Sequence, residues 1–255
     1  MELGLTGARA LIGGASGGLG AAIADALAAE GARVALAARS ADRLAERAER
    51  IGGVAIPVDL STSDGPRAAV DAAVAGLRGL DLLLVNSGGP AGGRFEELDE
   101  ETWGKAIDGT LWSAIRLLRA ALPHLRESDR AAVLVILSSS AREPIPGLTT
   151  SNLLRPGLAG LIKSLVPEIA PVRINAIMPG RIETNRIISM DRHRADSTGL
   201  SVDEVPRQQI DKIPLGRYGD PGEVGRVGAF LLSSAASYVS GALVPVDGGM
   251  VKALP

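Results

Sequence analysis

A glycine-rich segment follows a short apolar run near the start of the chain and leads into an alanine-rich stretch. Glycine adopts positive φ easily and lets backbone N–H groups approach an anion, which a helix N-terminus also attracts. At the turn from a strand into a helix, this composition predicts a site for the diphosphate of a dinucleotide. The predicted binding residues are Gly14, Ser16, Gly17, Gly18, Leu19 and Gly20. An ordinary glycine-rich turn without a ligand is the alternative.

The residues after the second apolar run bear on which dinucleotide would bind. An acid at this position binds the ribose hydroxyls of NAD, whereas an arginine can bind the 2′-phosphate of NADP. Here an alanine precedes Arg39, which predicts NADP(H) in preference to NAD(H). The alternative is that Arg39 only begins the charged stretch 41–50. We expect Asp59, which ends the third run, to face the adenine edge, with Ser40 and Leu60 in the same site.

Short β-type runs alternate with longer helical patterns along the chain, which predicts parallel βαβ units. The predicted strands are 9–12, 33–37, 54–58, 80–86, 131–137, 172–178 and 242–246. The predicted helices lie near 19–30, 41–50, 65–77, 98–127 and 151–166, and Pro156 should loosen or kink the last of them. Together these elements predict a Rossmann-type, doubly wound α/β fold. It has a parallel seven-stranded sheet with helices on both faces, in a single domain over 1–255.

Composition excludes several classes of function. The 255 residues carry 27 Lys and Arg against 29 Asp and Glu, so we expect no nucleic-acid or membrane partner. Hydrophobic residues make up 46%, which is ample for a core and excludes disorder. Cysteine is absent, which excludes disulfides, thiol nucleophiles and cysteine-ligated zinc. The two histidines, His124 and His193, are far apart, so we expect no metal site.

Two segments bear on the location of the protein and on its substrate. The start of the chain has no secretory signal pattern, and the uncharged stretch 227–246 contains serine, glycine and proline. We interpret 227–246 as buried helix, turn and strand, and we expect a cytoplasmic protein. The segment 181–212 breaks the alternating pattern, and we interpret it as a mobile excursion over the substrate site.

Further motifs follow the glycine turn in the order of one enzyme family. They are Asn86-Ser87-Gly88-Gly89, Pro179-Gly180-Arg181-Ile182-Glu183-Thr184, and a closing part with 213–217, Asp220-Pro221, Ser240-Gly241 and 246–249. Together they resemble the short-chain dehydrogenase/reductase family over essentially the whole chain. The resemblance implies hydride transfer between a nicotinamide and a small carbonyl or alcohol substrate. It also implies cofactor contacts from Asn86, Ser87, Gly88, Pro179, Gly180, Ile182 and Thr184.

The family's catalytic tetrad of Asn, Ser, Tyr and Lys is changed here at three positions. Ser138 occupies the serine position, but Thr110, Ser151 and Arg155 stand where the family has Asn, Tyr and Lys. A serine hydroxyl is a weaker acid than a tyrosine and cannot replace it simply. The segment Ser151-Asn152-Leu153-Leu154-Arg155 resembles a divergent, 3-oxoacyl-acyl-carrier-protein-reductase-like branch with Ser-Asn-x-x-Arg.

The expected catalytic residues are therefore Ser138, Ser151 and Arg155. We expect Ser138 to bind the substrate oxygen, Arg155 to hold the ribose and Ser151 to organise a water. Arg142, Glu143 and His193 are further candidates for the substrate site, although a solvated salt bridge in a loop for the first two and a surface position for His193 are the favoured interpretations. The alternative function is a non-catalytic dinucleotide-binding protein that acts as a sensor or scaffold.

One side of the helix from Ser151 carries the small residues Gly157, Gly160 and Ser164. Small residues let another helix approach closely, and family members pair this helix across a two-fold axis. The chain is therefore expected to form a homotetramer, with a homodimer as second choice. Packing of this side on the sheet is the alternative.

Overall fold

The computed structural model describes residues 2–253 and contains one parallel sheet in the order β3-β2-β1-β4-β5-β6-β7. The strands are β1 Arg9–Gly13, β2 Arg33–Ala38, β3 Val54–Pro57, β4 Leu82–Val85, β5 Ala132–Ile136, β6 Arg173–Pro179 and β7 Leu243–Val246. All seven predicted strands are present, with slightly shifted ends. The strand order reverses between β1 and β4, and the crevice at such a switch point is where ligands bind in open α/β sheets.

Helices cover both faces of the sheet, as predicted. They are α1 Gly18–Ala29, α2 Ala41–Ile51, α3 Gly65–Leu77, α4 Glu100–Ile107, α5 Ser113–Leu125, α6 Thr149–Ile169, α7 Asn185–Thr198, α8 Glu204–Ile210 and α9 Pro221–Leu232. Alternate residues of β4 separate into two cores: Leu83 packs in the cluster with α3, α5 and α6, and Leu84 packs in the cluster with α1, α2 and α9. The doubly wound α/β prediction is confirmed.

The prediction of one helix over 98–127 is wrong in its middle. Helices α4 and α5 are separated by a π-helical turn, Asp108–Trp112. A π turn holds one extra residue and releases backbone groups from the regular ladder. Here the carbonyl of Gly109 accepts hydrogen bonds from the hydroxyls of Ser87 and Ser113. The π turn is therefore bonded to Ser87, which lies outside the helices, and an apolar pattern in the sequence does not reveal such a contact.

The segment 181–212 contains α7 and α8, which the sequence pattern did not predict. Only Asp191 and Ala195 are buried in α7, so this helix has no apolar stripe for a periodicity argument to detect. The helix ends at Gly199, whose φ of +71° is the left-handed conformation of a common helix stop. The mobility of 181–212 stays a prediction.

Two other segments agree with the sequence argument or extend it. The stretch 227–246 contains the end of α9, a turn and β7, as interpreted. The helix α6 continues through Pro156, whose ring is exposed, and begins two residues before the predicted start of 151. Within residues 2–253, no helix is both long and apolar enough to cross a membrane.

Candidate active site

The glycine turn joins β1 to α1 at the switch point and cannot carry side chains at its crowded positions. Gly14 and Gly18 have φ of +63° and +56°. A Cβ on Gly14 would lie 2.6 Å from Asn86 Nδ2, and one on Gly20 would lie 2.4 Å from the carbonyl oxygen of Gly14. No side chain caps α1 at Gly17, so its first N–H groups are open to an anion. The turn fits a diphosphate.

One side of this cleft is formed at the ends of β2 and β3. Arg39 is exposed, and within residues 2–253 its guanidinium has no ion pair or hydrogen bond. The backbone N–H and hydroxyl of Ser61 donate to Asp59 at 2.9 and 2.7 Å. These bonds lower the pKa of Asp59, and the charge of Arg39 adds a smaller lowering. Ser40 is half-buried and Leu60 is buried beside them.

The other side of the cleft is formed by the segment after β6. Thr184 lies next to the glycine turn, since its Cγ2 is 3.8 Å from the position of a Cβ on Gly18. Ile182 is buried and pairs with Gly219 in an isolated bridge. A Cβ on Gly180 would lie 2.7 Å from Cβ of Asp247, so this chain turn passes tightly under the end of β7. The structure therefore brings the sixth-strand motif, with Pro179 at its start, to the glycine turn.

The segment after β4 connects the glycine turn to the helices. The Asn86 side chain donates to the carbonyl of Gly13 at 3.2 Å. The hydroxyl of Ser87 is held by the π turn, and Gly88 has a φ of +91°. This segment is thus tied to β1 on one side and to α4 and α5 on the other.

Ser138 and Ser151 are brought together through a residue that sequence reasoning missed, Ser140. The backbone N–H of Ser140 donates to Ser138 Oγ at 3.1 Å, and its hydroxyl lies 2.9 Å from the Ser151 hydroxyl. Ser140 and Ser151 are buried, whereas Ser138 is half-buried. Among the residues described, no acceptor faces the Ser138 hydroxyl proton. Ser138 can therefore donate to a ligand oxygen. Three consecutive serines at 138–140 were the available signal.

Arg155 lies in α6 and is buried near the C-terminal ends of β4 and β5. Its guanidinium donates to the carbonyl of Ile136 at 2.6 Å and to that of Gly88 at 3.2 Å. Its Nε is buried without a partner among the described residues. Burial, and to a smaller extent the charge of Arg186, lowers the pKa of Arg155 to about 10. Arg155 thus connects the ends of β4 and β5 and keeps unused donors.

Comparison with known proteins gives the family. A sequence profile described as Enoyl-(Acyl carrier protein) reductase matches residues 14–251. The 3-oxoacyl-[acyl-carrier-protein] reductase FabG of Aquifex aeolicus is 30% identical over 258 residues, covering 98% of this chain and 100% of that protein. Dehydrogenase/reductase SDR family member 4 of Homo sapiens is 28% identical over 250 residues, covering 94% of this chain and 86% of that protein. The chain belongs to the short-chain dehydrogenase/reductase family.

Solved structures of this oxidoreductase family share the whole fold. L-Sorbose reductase from Gluconobacter frateurii, complexed with NADPH and L-sorbose, has a TM-score of 0.94 at 30% identity and covers 100% of both chains. The predicted family resemblance and the predicted oxidoreductase class are confirmed. The sequence-predicted site residues of the chain lie near the C-terminal ends of the strands, where doubly wound folds bind their ligands.

The remaining sequence candidates do not join the serine cluster. Thr110 is buried in the π turn. Glu143 and His193 are exposed, and their side chains contact no hydrogen-bonding or ionic partner within 2–253. Tyr218 donates to Asp191 at 2.7 Å, and burial together with this bond raises its pKa to about 12. Tyr218 is therefore a poorer acid than an ordinary tyrosine.

A second residue missed by sequence reasoning is Arg186, in the first turn of α7. Its guanidinium donates to the carbonyls of Gly89 at 3.0 Å and Pro90 at 2.7 Å. A Cβ on Gly89 would lie 2.5 Å from Cζ of Arg186, so the glycine makes room for this contact. The only signal in the sequence was a charged residue just after a recognised motif.

Across residues 2–253, no group of three or more His, Asp or Glu is placed to hold a metal ion.

Proposed function

We propose that the protein is an NADP(H)-dependent reductase or dehydrogenase of small carbonyl or alcohol substrates, with Ser138, Ser151 and Arg155 in place of the usual tetrad. The observation that carries the proposal is the arrangement of three features at the C-terminal ends of the strands. An uncapped glycine turn, a half-buried serine with a free hydroxyl proton and a buried arginine surround the switch point. The NADPH complex of the related L-sorbose reductase supports the choice of cofactor.

The cofactor would lie across the C-terminal ends of the strands. Its diphosphate would contact the turn from Gly14 to Gly20, and Arg39 would bind the 2′-phosphate, with Asp59 near the adenine. The nicotinamide half would lie against Asn86 and Thr184 and the other residues of the two motifs: Ser87, Gly88, Pro179, Gly180 and Ile182. When bound, NADP(H) supplies or accepts the hydride.

The residues of the chain would bind and polarise the substrate. Ser138 donates its hydroxyl proton to the substrate oxygen, since that proton has no acceptor among the residues described while the oxygen accepts from the Ser140 N–H. Ser151, held by Ser140, organises the water that supplies the proton. Arg155 holds the ribose with the donors that the backbone carbonyls leave unused. Loss of a good general acid costs roughly 10²–10⁴-fold in rate, so we expect slow turnover.

The test measures NADPH oxidation with diketones, 3-oxoesters and simple ketones. We expect slow reduction of the diketones, whose oxyanions need less protonation, and a lower rate in Ser138→Ala. Ser237→Ala, at an exposed serine outside the site, is the matched control and should leave the rate unchanged. NADPH binding is measured separately by calorimetry. Binding with no substrate-dependent oxidation would contradict the enzyme and support a dinucleotide-binding sensor.

The same proposal includes a homotetramer in the cytoplasm, where NADP(H) is available. Gly157, Gly160 and Ser164 are exposed on α6, so this side does not pack on the sheet. Leu153 extends the same side and is 61% exposed. An exposed apolar and small-residue strip on a long helix supports pairing with a second copy.

A further inference from the structure

Two arginines from different helices hold the same three-residue loop. Arg155 donates to the carbonyl of Gly88, and Arg186 donates to the carbonyls of Gly89 and Pro90. Arg155 also donates to the carbonyl of Ile136, two positions before Ser138. Arg155 therefore joins the loop 88–90 to the end of β5, two residues before the serine proposed to bind the substrate oxygen, and Arg186 contacts the same loop.

Neither guanidinium has a negative partner. Within residues 2–253, no carboxylate lies within ion-pair distance of Arg155 or Arg186, although the chain forms such pairs elsewhere, as at Arg9 and Asp81. Arg155 is 8% exposed and its Nε has no partner among the residues described, whereas Arg186 is an exposed residue that a ligand can reach. A buried cation without a counter-ion is costly, and two neighbouring cations repel each other. Consistent with that, the charge of Arg186 lowers the pKa of Arg155.

Arg186 keeps donors for a further ligand, whereas the unused donors of Arg155 are assigned to the ribose in the proposed function. A guanidinium has five N–H groups, and each of these two uses a pair of them on backbone carbonyls. Carboxylate is the anion that a guanidinium fork binds with paired, charge-assisted hydrogen bonds. The missing negative charge and the unused donors thus indicate the same kind of ligand.

We propose that the substrate is a small oxo acid, or the matching hydroxy acid, whose carboxylate binds at the Arg155–Arg186 pair while its carbonyl oxygen meets Ser138. The proposal rests on the proposed function. Arg186 contacts the carboxylate, and Arg155 adds charge from below the loop. The diphosphate of the cofactor is the other possible anion, but its N–H donors are at Gly14–Gly20, whereas the arginines hold 88–90. The carboxylate of an oxo acid would supply the negative charge that Arg155 and Arg186 lack.

The experiment separates carboxylate binding from turnover. Oxamate, a 2-oxo-acid analogue that resists reduction, is titrated by calorimetry into the full-length protein saturated with NADPH. We expect binding that weakens about tenfold or more in Arg186→Gln, the loss of at least one charge-assisted contact. Arg186→Lys should lose less than Arg186→Gln. Arg119→Gln removes an exposed charge from α5, outside the site, and should bind as the unchanged protein does. The affinity of NADPH for each variant shows that the fold is intact.

A second measurement needs no variant. The rates of NADPH oxidation with pyruvate and with methyl pyruvate are compared, as are those with acetoacetate and methyl acetoacetate. We expect the acids to have the lower KM by about tenfold. Absence of oxamate binding, equal weakening by Arg119→Gln, or esters with a KM as low as that of the acids would each overturn the inference. Turnover of esters alone would leave the proposed function standing, whereas oxamate binding without any turnover would refute the function and keep the carboxylate site.

Discussion

The hydroxyl oxygens of Ser140 and Ser151 lie 2.9 Å apart, joining the loop after β5 to the first turn of α6. Both side chains are buried, with relative exposures of 1% and 6%. A buried hydroxyl that loses its partner pays the cost of desolvation without a compensating hydrogen bond. This contact therefore fixes the position of Ser151 relative to Ser138, which Ser140 also contacts through its N–H.

That contact predicts coupled effects on stability. Ser140→Ala and Ser151→Ala should each lower the free energy of unfolding by about 1 kcal/mol, because each leaves the other hydroxyl without its partner. The double variant should cost less than the sum of the two single changes. Urea unfolding at neutral pH measures all three, with Ser197→Ala as the exposed control. Effects that add within about 0.3 kcal/mol would mean that the two hydroxyls act independently.

Arg39 predicts the choice of cofactor. A phosphate contact from this free guanidinium is worth roughly 1.5–3 kcal/mol, or about tenfold to more than a hundredfold in affinity. NADPH should bind more tightly than NADH by that factor, and Ala38→Asp combined with Arg39→Ala should reverse the order. Calorimetry with both cofactors is the measurement. Arg43→Ala, in the exposed first turn of α2, is the matched loss of charge, and equal affinities in the unchanged protein would remove Arg39 from the site.

Asp81 predicts a specific acid sensitivity. It accepts two hydrogen bonds from the Arg9 guanidinium, one from the Arg9 N–H and one from Ser128. Burial alone would raise its pKa, but these bonds outweigh burial, and the pKa of Asp81 is lowered. A lowered folded-state pKa stabilises the fold above the unfolded value of about 3.9, and that stability is lost as the pH falls through the folded value.

Asp81→Asn should therefore lower the free energy of unfolding by roughly 1–3 kcal/mol at pH 7. The difference from the unchanged protein should shrink as the pH falls below about 4, because the unfolded chain is protonated there first and the native carboxylate only at lower pH. Urea unfolding as a function of pH tests this. Asp71, in the exposed pair with Arg67, is the control, since Asp71→Asn should change stability by less than about 1 kcal/mol. A difference for Asp81→Asn that is constant with pH would contradict the assignment.

The exposed side of α6 predicts the assembly. The chain mass is 26.1 kDa, and light scattering at micromolar concentration should give about four times that value. Gly157→Arg places a long charged side chain on this side, in a position with no neighbour within 4 Å in the single chain, and should reduce the particle mass. Glu49→Arg, on the exposed side of α2, should leave the mass unchanged. A particle of one chain mass in the unchanged protein would refute the tetramer.

Local patterns were sufficient to predict the sheet and the glycine turn between β1 and α1. Each strand is a short apolar run, and the glycines of the first turn are required by positive φ and by Cβ positions that would collide with Asn86 or Gly14. The π turn could not be predicted in the same way, because its stabilising hydroxyls come from Ser87 as well as from the helix itself. Propensity describes neighbours along the chain, and this turn depends on a residue from another loop.

The same reason explains why Ser140 and Arg186 were missed. Each is one polar residue in a polar segment, and its role comes from a partner distant in sequence: Ser151 for Ser140, and the carbonyls of Gly89 and Pro90 for Arg186. The sequence placed Arg155 in the site, but its contacts to Ile136 and Gly88 needed the folded chain. Charges that lack a counter-ion become visible only when all neighbours are known.

The π turn at Asp108–Trp112 sets the rotational phase of α5 against α4. Each residue added to or removed from a helix rotates everything beyond it by about 100°. Removing one residue here would turn Leu117, Leu118 and Ala121 away from the core in which they are buried. It would also free the Ser87 hydroxyl from Gly109. The extra residue therefore couples the rotation of α5 to the position of the loop after β4. The segment between Asp99 and Leu125 should tolerate substitutions far better than insertions or deletions.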